Sequence, residues 1–494
     1  MSTNYYSDVT SVPFIRRLAL IAGVATIGLP VLAHAADNTQ AQIDSLQQQL
    51  DALKASQVPA SDAPLVTSAE LKRYMAGDSS LTWKGITLYG TIDIGMSYQN
   101  HGAPLSNAFY TGANEMLQKS STREEWGVTP SGLSQSKIGL KFDEPVYGDL
   151  HVVGKAETGF NPQAGTLADA VKSVQQNNGL PVNQQGANAD GGRAGQFLNG
   201  EAYVGVQSRT YGRLTVGRHN DLFNDNISAY DPMGGSYAFS PIGYSGFAAG
   251  AGNTQDTRLD NSVRYGVTVG PIRFVALAQT PNYATDSLGA YQFDVGTNWG
   301  GLSVDAAFSH INDSIHVAPF SGSQYVGNMT LNATVSDTTA EQLLAKYAMG
   351  PSTTFGGFQH QMYANPNHPL SAGAADIGGY TLGAVNNTAF STGNELENIF
   401  WTGEKYQITP EWSVTGAYYY VRQNDYSGSG IGWSNTKGNA AGSQHFISAM
   451  TDYAFTKRFD VYAGVMYNKY DGGMVNGYQY NNAISPMAGL RFNF

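Results

Sequence analysis

Ile86-Thr87-Leu88-Tyr89-Gly90-Thr91-Ile92-Asp93-Ile94-Gly95-Met96-Ser97 is the stretch that decides how this chain folds. Ile86, Leu88, Ile92, Ile94 and Met96 share one parity, while Thr87, Tyr89, Thr91, Asp93 and Ser97 share the other. Successive side chains of a strand point to opposite faces, so this segment offers one face to an apolar phase and one to water. The pattern returns where Ile138, Leu140 and Phe142 oppose Lys137 and Lys141, and where Ala202, Val204 and Val206 oppose Glu201 and Tyr203. A water-soluble sandwich has the same period, so alternation alone leaves both architectures open.

The connections separate them. Read as strand pairs, the chain from Trp83 onward yields roughly sixteen strands, an even number as expected for a bacterial outer-membrane barrel. Short joins fall at 144–149, 208–212, 270–271, 300–301, 350–351, 409–410 and 456–457, most of them carrying Gly or Pro. Long joins fall at 100–132, 161–195, 220–257, 281–290, 312–338, 365–394, 424–440 and 471–483. Strict alternation of short and long describes a barrel with periplasmic turns and external loops, and a Greek-key sandwich has no reason to sort its joins this way. The expected fold is therefore all-β: a roughly 16-stranded antiparallel up-and-down transmembrane β-barrel over residues 83–494, preceded by a short N-terminal helix or coiled coil.

Composition agrees with that reading. The 494 residues include 58 Gly, 30 Tyr and 21 Phe, and only 13% are charged, which favours turns and aromatic-rich strands over a helical enzyme core. Mean hydropathy is -0.27; in a transmembrane barrel the lipid-facing and lumen-facing residues alternate and the averaged signal cancels. The formal charge of -11 argues against a nucleic-acid partner, which would need a cationic surface. With no Cys in the chain, thiol catalysis, Cys-based zinc sites and disulfides are excluded.

Arg16 and Arg17 precede an apolar run over 18–32, and Ala33-His34-Ala35 supplies a small-x-small site before Ala36. The run is shorter than the roughly 20 residues that span a bilayer, so residues 1–35 read as a cleaved secretory signal peptide. Ile43, Leu46, Leu50 and Leu53 then make a heptad seam too short to be stable alone. It is either a coiled coil supported by self-association of the barrel or a single amphipathic helix. Residues 58–78, with Pro59 and Pro64, form a linker, so 36–82 is a periplasmic heptad helix and linker. The last strand, 484–494, places Ala488, Leu490, Phe492 and Phe494 on one face. It must pair with the first strand or leave an unsatisfied edge in lipid, and Phe494 is the expected closure and assembly signal. Tyr418, Tyr420, Tyr462 and Tyr467 are expected in interfacial girdles.

Several stretches resemble the general trimeric Gram-negative outer-membrane porins of β-proteobacterial type. They are Ile86 to Asp93, Ser136-Lys137-Ile138-Gly139-Leu140-Lys141, Gly148-Asp149-Leu150, Ala156-Glu157-Thr158-Gly159-Phe160 and Glu201-Ala202-Tyr203-Val204-Gly205-Val206. Gly212-Arg213-Leu214-Thr215-Val216-Gly217-Arg218, Arg258 to Tyr265 and Gly489-Leu490-Arg491-Phe492-Asn493-Phe494 continue the family's order over nearly everything after about residue 83. The heptad ahead of the barrel is similar to the porins linked to dicarboxylate uptake, and 161–195 is a Gln-, Asn-, Gly- and Ala-rich insertion that reads as an external loop. The resemblance implies a homotrimer in outer-membrane lipid, inserted by the barrel assembly machinery, through whose water-filled channel small hydrophilic solutes and ions diffuse passively. A channel selective for small organic acids and a non-conducting adhesin or receptor barrel are the alternatives.

The resemblance also implies where such a bore narrows. The loop after the fifth strand, here about 220–257, folds inward and sets carboxylates against a basic wall. Asp221, Asp225 and Asp231 are the expected acidic side, and Lys137, Lys141, Arg218, Arg264 and Arg491 the basic side. Opposed charges orient water and polar solutes and strip solvation from an apolar permeant. The alternatives are solvated wall side chains for each basic residue and, for Asp221 and Asp225, a loop cap or a weak cation site without calcium-loop spacing. No catalytic residue, metal or cofactor is expected, because G-x-S-x-G and H-E-x-x-H do not occur. Gly428, Gly430 and Gly432 fall in a predicted external loop with no helix behind them to hold phosphate.

Overall fold

A computed structural model describes residues 81–102, 123–163, 165–168, 197–244, 258–280, 289–319, 331–371, 373–377, 380–429, 440–476 and 478–494, together with Gln48. The expected signal peptide, the heptad residues Ile43, Leu46, Leu50 and Leu53, and the linker lie outside them. The chain divides into two compact units, Met1–Thr67 and Ser68–Phe494, and the second contains the sheet.

Sixteen antiparallel staves make one closed wall. β1 is Ile86–Gly102; β2 is an interrupted stave of Arg123–Pro130 and Lys137–Tyr147. They are followed by β3 (Leu150–Asn161), β4 (Ala202–Ser208), β5 (Gly212–Asn220), β6 (Arg258–Val269) and β7 (Ile272–Gln279). Next come β8 (Ala290–Trp299), β9 (Leu302–Pro319), β10 (Leu331–Met349), β11 (Ser352–Ala364) and β12 (Glu395–Gln407). β13 (Trp412–Gln423), β14 (Gly442–Ala454), β15 (Phe459–Gly472) and β16 (Asn482–Asn493) complete the circuit.

β16 returns to β1 in register from Thr91↔Asn493 to Ser97↔Met487. At the seam Gly90 N–H donates to the Phe494 carbonyl at 2.9 Å and Phe494 N–H donates to the Gly90 carbonyl at 3.0 Å. The first and last strands thus satisfy each other's backbone groups and leave no open seam along this stretch, as a wall that crosses hydrocarbon requires. A short strand, Leu81–Trp83, folds back on Ile86–Leu88 through Lys84 and Gly85, both at positive φ. The other side of Ile86–Thr91 is paired with Lys137–Phe142, so this strand occupies the edge that β16 leaves free below Phe494.

The short joins are tighter than expected at one point: β2 runs on to Tyr147, leaving only Gly148 and Asp149 as the turn. Gly148, Gly270, Gly300 and Gly350 take φ of 58, 60, 57 and 58°, a left-handed conformation that costs other residues about 1–2 kcal/mol. On the external side the expected loop 312–338 is largely strand. β9 and β10 continue past a bulge at Asp313 and pair from Ser314↔Ser336 to Pro319↔Leu331. Likewise 365–394 contains a hairpin, Gly373–Ile377 and Tyr380–Asn387, whose second strand lies parallel to Asn332–Val335. The protruding edge of β10 has no membrane neighbour at that height, and the hairpin satisfies its backbone groups.

The parities quoted from β1 hold: Thr91, Asp93 and Ser97 are buried toward the inside, while Ile92 and Met96 are exposed on the outside. Tyr418 is exposed outward, as a girdle residue should be. Tyr462 is not a girdle residue: it shares the inward parity of Asp460 and Met466 and donates to Asp93 at 2.6 Å. The main apolar cluster also sits inside the cylinder. Leu344, Ile399, Trp401, Val421, Phe446 and Met466 project inward from β10 to β15 and are buried there.

Candidate functional site

What buries that inward apolar surface is the join between β5 and β6. It opens with helix α1 (Leu222–Tyr230) and continues to a single turn, α2 (Pro241–Tyr244). Ile227, Tyr230, Met233, Phe239 and Ile242 of this segment pack into the cluster formed by the wall. Burying a side chain of this size contributes about 1.5–3 kcal/mol, so the loop is held as firmly as a core element.

Polar contacts fix its register. Leu222 N–H donates to Gln292 Oε1 at 2.8 Å, and Asn226 Nδ2 donates to Asp294 Oδ2 at 2.9 Å. At the helix C-terminus Lys346 Nζ donates to the Ala229 carbonyl at 3.0 Å and Trp401 Nε1 to the Tyr230 carbonyl at 3.1 Å. Further on, Ala238 N–H and Ser236 Oγ both donate to the Gly132 carbonyl, at 3.0 and 2.8 Å. Gly132 lies where β2 leaves the wall. There the buried Asp93 carboxylate accepts the N–H groups of Gly132, Leu133 and Ser134 at 3.2, 2.9 and 2.9 Å, besides the Tyr462 hydroxyl. One carboxylate on β1 thus organises the bulge that receives the far end of the loop. Asp93→Ala strands several buried donors at about 1–3 kcal/mol each, and thermal unfolding should show a loss of at least about 3 kcal/mol. Tyr462→Phe, which removes a single partner, should lose about 1 kcal/mol.

The three expected loop carboxylates separate into two kinds. Asp221 caps α1, accepting Asn224 N–H at 2.6 Å, and Asp231 accepts the Tyr419 hydroxyl at 2.5 Å and Gly235 N–H at 2.8 Å. Burial pushes the Asp221 carboxyl well above the ordinary carboxylate range and pushes Asp231 upward as well, so neither is a dependable source of field in the bore. Asp225 differs: it is part-exposed and pairs with Arg264, Oδ2 to Nη1, at 2.7 Å.

The basic residues separate too. Lys137 and Arg264 face inward, Lys137 against Glu157 at 3.1 Å. Lys141 faces inward with its ammonium 5.8 Å from the Tyr89 ring. Arg491 is inward on β16, separated from the Lys137 stave by β1 alone, but it is bound to Asp460 at 2.6 Å with Asp452 at 3.7 Å, so it joins an acidic patch on the next staves and does not extend the basic wall. Arg218 has the parity of the exposed Leu214 and Val216, and its guanidinium is engaged by Asp260 at 2.6 Å and by the Gly200 and Asn199 carbonyls. It lies within the bulge between Gly217 and His219 at the start of the loop, and these contacts hold it away from the loop carboxylates it was expected to oppose.

Inward cations that sequence reading passed over complete the wall. Lys155 bonds Glu201 at 2.6 Å and lies 5.8 Å from the Tyr89 ring, and Arg213 lies over Tyr203 at 5.2 Å. Arg273 bonds Asp305 at 2.7 Å, and the Tyr230 hydroxyl donates to the same carboxylate. Parity alone would have found them: Lys155 alternates with Ala156 and Arg213 with Leu214. β2 to β7 therefore present cations spaced by tyrosine rings, opposite the apolar wall that seats the loop. Among the described residues no group of three or more His, Asp or Glu is arranged to hold a metal ion.

A family profile for Gram-negative porins matches residues 60–473. An outer-membrane porin protein of Bordetella pertussis is 25% identical over 221 residues, which is 45% of this chain and 44% of that protein. The chain thus matches less than half the length of that relative. Among solved structures, an anion-selective porin from Comamonas acidovorans superposes with a TM-score of 0.54 at 16% identity, over 83% of this chain and 99% of that one. OmpT, an outer-membrane protein of Vibrio cholerae, gives 0.52 at 15% identity, over 84% and 100%. These likenesses agree with the closed barrel and with a place in the bacterial outer membrane. With most of its length inside the profile, the chain belongs to the Gram-negative porin family.

Proposed function

We propose that this barrel is a water-filled channel through which small hydrophilic solutes and ions diffuse passively, that it prefers anions, and that it works as a homotrimer. The observation that carries the reading is the sidedness of the bore. The loop closes its apolar half, and the open half is walled by Lys141, Lys155, Arg213 and Arg264 with Asp225 on the loop. Tyrosine faces hold the ammonium and guanidinium groups in place, which limits the reorganisation needed when an anion passes. The fold likeness to a porin described as anion-selective and to a trimer form of OmpT supports the ion preference and the assembly by analogy.

Purified full-length protein in planar bilayers tests this. Ohmic steps that arrive in groups of three, with a reversal potential of the sign set by chloride in a KCl gradient, are the expected result. Absence of steps would favour the receptor-barrel alternative, in which the long external joins are the working surface.

A further inference from the structure

Beside Arg264 and Asp225 the space between α1 and the wall widens into a cavity of about 370 Å³, within the range of sites that hold small solutes. It holds three cations, Arg264, Arg273 and Lys346, and three carboxylates, Asp225, Asp294 and Asp305. Two of each are already matched, Arg264 with Asp225 and Arg273 with Asp305, both at 2.7 Å. The remaining two are not matched with each other: among the described residues Lys346 has no carboxylate partner and Asp294 no cationic one within ion-pair distance. Both are instead tied to α1, Asp294 through Asn226 Nδ2 and Lys346 through the Ala229 carbonyl. Residues three apart on a helix are neighbours, with roughly 5–6 Å between their Cβ atoms. A buried carboxylate and a part-buried ammonium are therefore tied to positions one helical turn apart on α1 and line one cavity, each with bonding capacity left.

From this we infer that the cavity is a binding niche for a short zwitterion of the α-amino-acid class, its ammonium on Asp294 and its carboxylate on Lys346. Asn298 and Ser303 on the same lining supply neutral polar groups for a hydroxyl or amide side chain. A simple anion would satisfy Lys346 and leave Asp294 repelling it, and a simple amine would do the reverse. The inference rests on the channel reading only for access: the niche opens onto the path that solutes take.

Equilibrium dialysis of the detergent-folded full-length protein against L-serine, propionate and propylammonium decides it. Serine should bind about tenfold tighter than either single-charge probe, as expected for one additional charge-assisted hydrogen bond. Lys346→Met should weaken serine about tenfold and leave propylammonium unchanged, and Asp294→Asn should weaken serine equally and leave propionate unchanged or tighter. Equal affinity of the native protein for all three probes would overturn the inference without any variant. Bilayer recordings on the same preparation separate the two readings. Ohmic steps with no preference for serine would remove the niche alone, while serine preference without steps would remove the channel and keep the niche.

Discussion

With Phe239 and Trp401 both replaced by alanine, the barrel is expected to pass more current, with more open-channel noise, than the native protein. Phe239 is fully buried in the apolar cluster, edge-on to Tyr462, and Trp401 packs in the same cluster while its indole N–H holds the Tyr230 carbonyl. Each truncation costs about 3–5 kcal/mol when the site cannot collapse. Here the cost falls on the docking of the loop and not on the wall, whose ladder remains intact from β1 to β16. The segment that narrows the bore would then leave its seat for part of the time. Single-channel recordings check this against Phe239→Leu, which keeps most of the volume and should leave conductance near native. Unchanged conductance in the double variant would mean that the loop does not set the narrowest section.

The second large effect is electrostatic. Neutralising Lys141, Lys155 and Arg213 together with glutamine should lower the anion-to-cation permeability ratio at least about tenfold. Each charge is worth about 1 kcal/mol to an ion at 4 Å even in bulk water, and more beside the low-dielectric loop. Glu201, now paired with Lys155, would become uncompensated, while Glu157 would keep Lys137 as its partner, so the same wall turns toward acidic. The shift should shrink as salt rises, since screening shortens the reach of each charge to about 8 Å at physiological ionic strength. Arg491→Gln serves as a contrast: it removes one charge and frees Asp452 and Asp460 on β14 and β15, outside the basic wall of β2 to β7, and its effect on the ratio should be smaller.

The Arg218 and Tyr462 placements show how far a strand pattern carries. Alternation assigned the faces of β1, β2 and β4 correctly because the period is a local property of extended backbone. The same rule put Lys137, Lys141 and Arg264 in the bore, and would have put Lys155 and Arg213 there. It was weaker near the β5–β6 join, where a bulge contains Arg218 and where Asp221 and Asp231 turn out to be a helix cap and a hydroxyl acceptor. Bulges and caps depend on contacts between segments far apart in the chain, and no local period encodes them.

The stretch from Ile399 to Trp401 marks the boundary between the two kinds of information. Ile399 and Trp401 point inward and Phe400 outward, so the strand is apolar on both faces, which a wall between lipid and open water would not be. That departure could be read in the residues, but what covers the inner face could not. The linear pattern by itself determined a closed antiparallel cylinder with turns at one rim and loops at the other, since face and join length are set by neighbours in the chain. The half of the bore left uncovered by the loop, the one loop carboxylate that meets Arg264, and the unmatched Asp294 and Lys346 were decided only when β5–β6 folded in, because burial and charge pairing are made across the barrel and not along it.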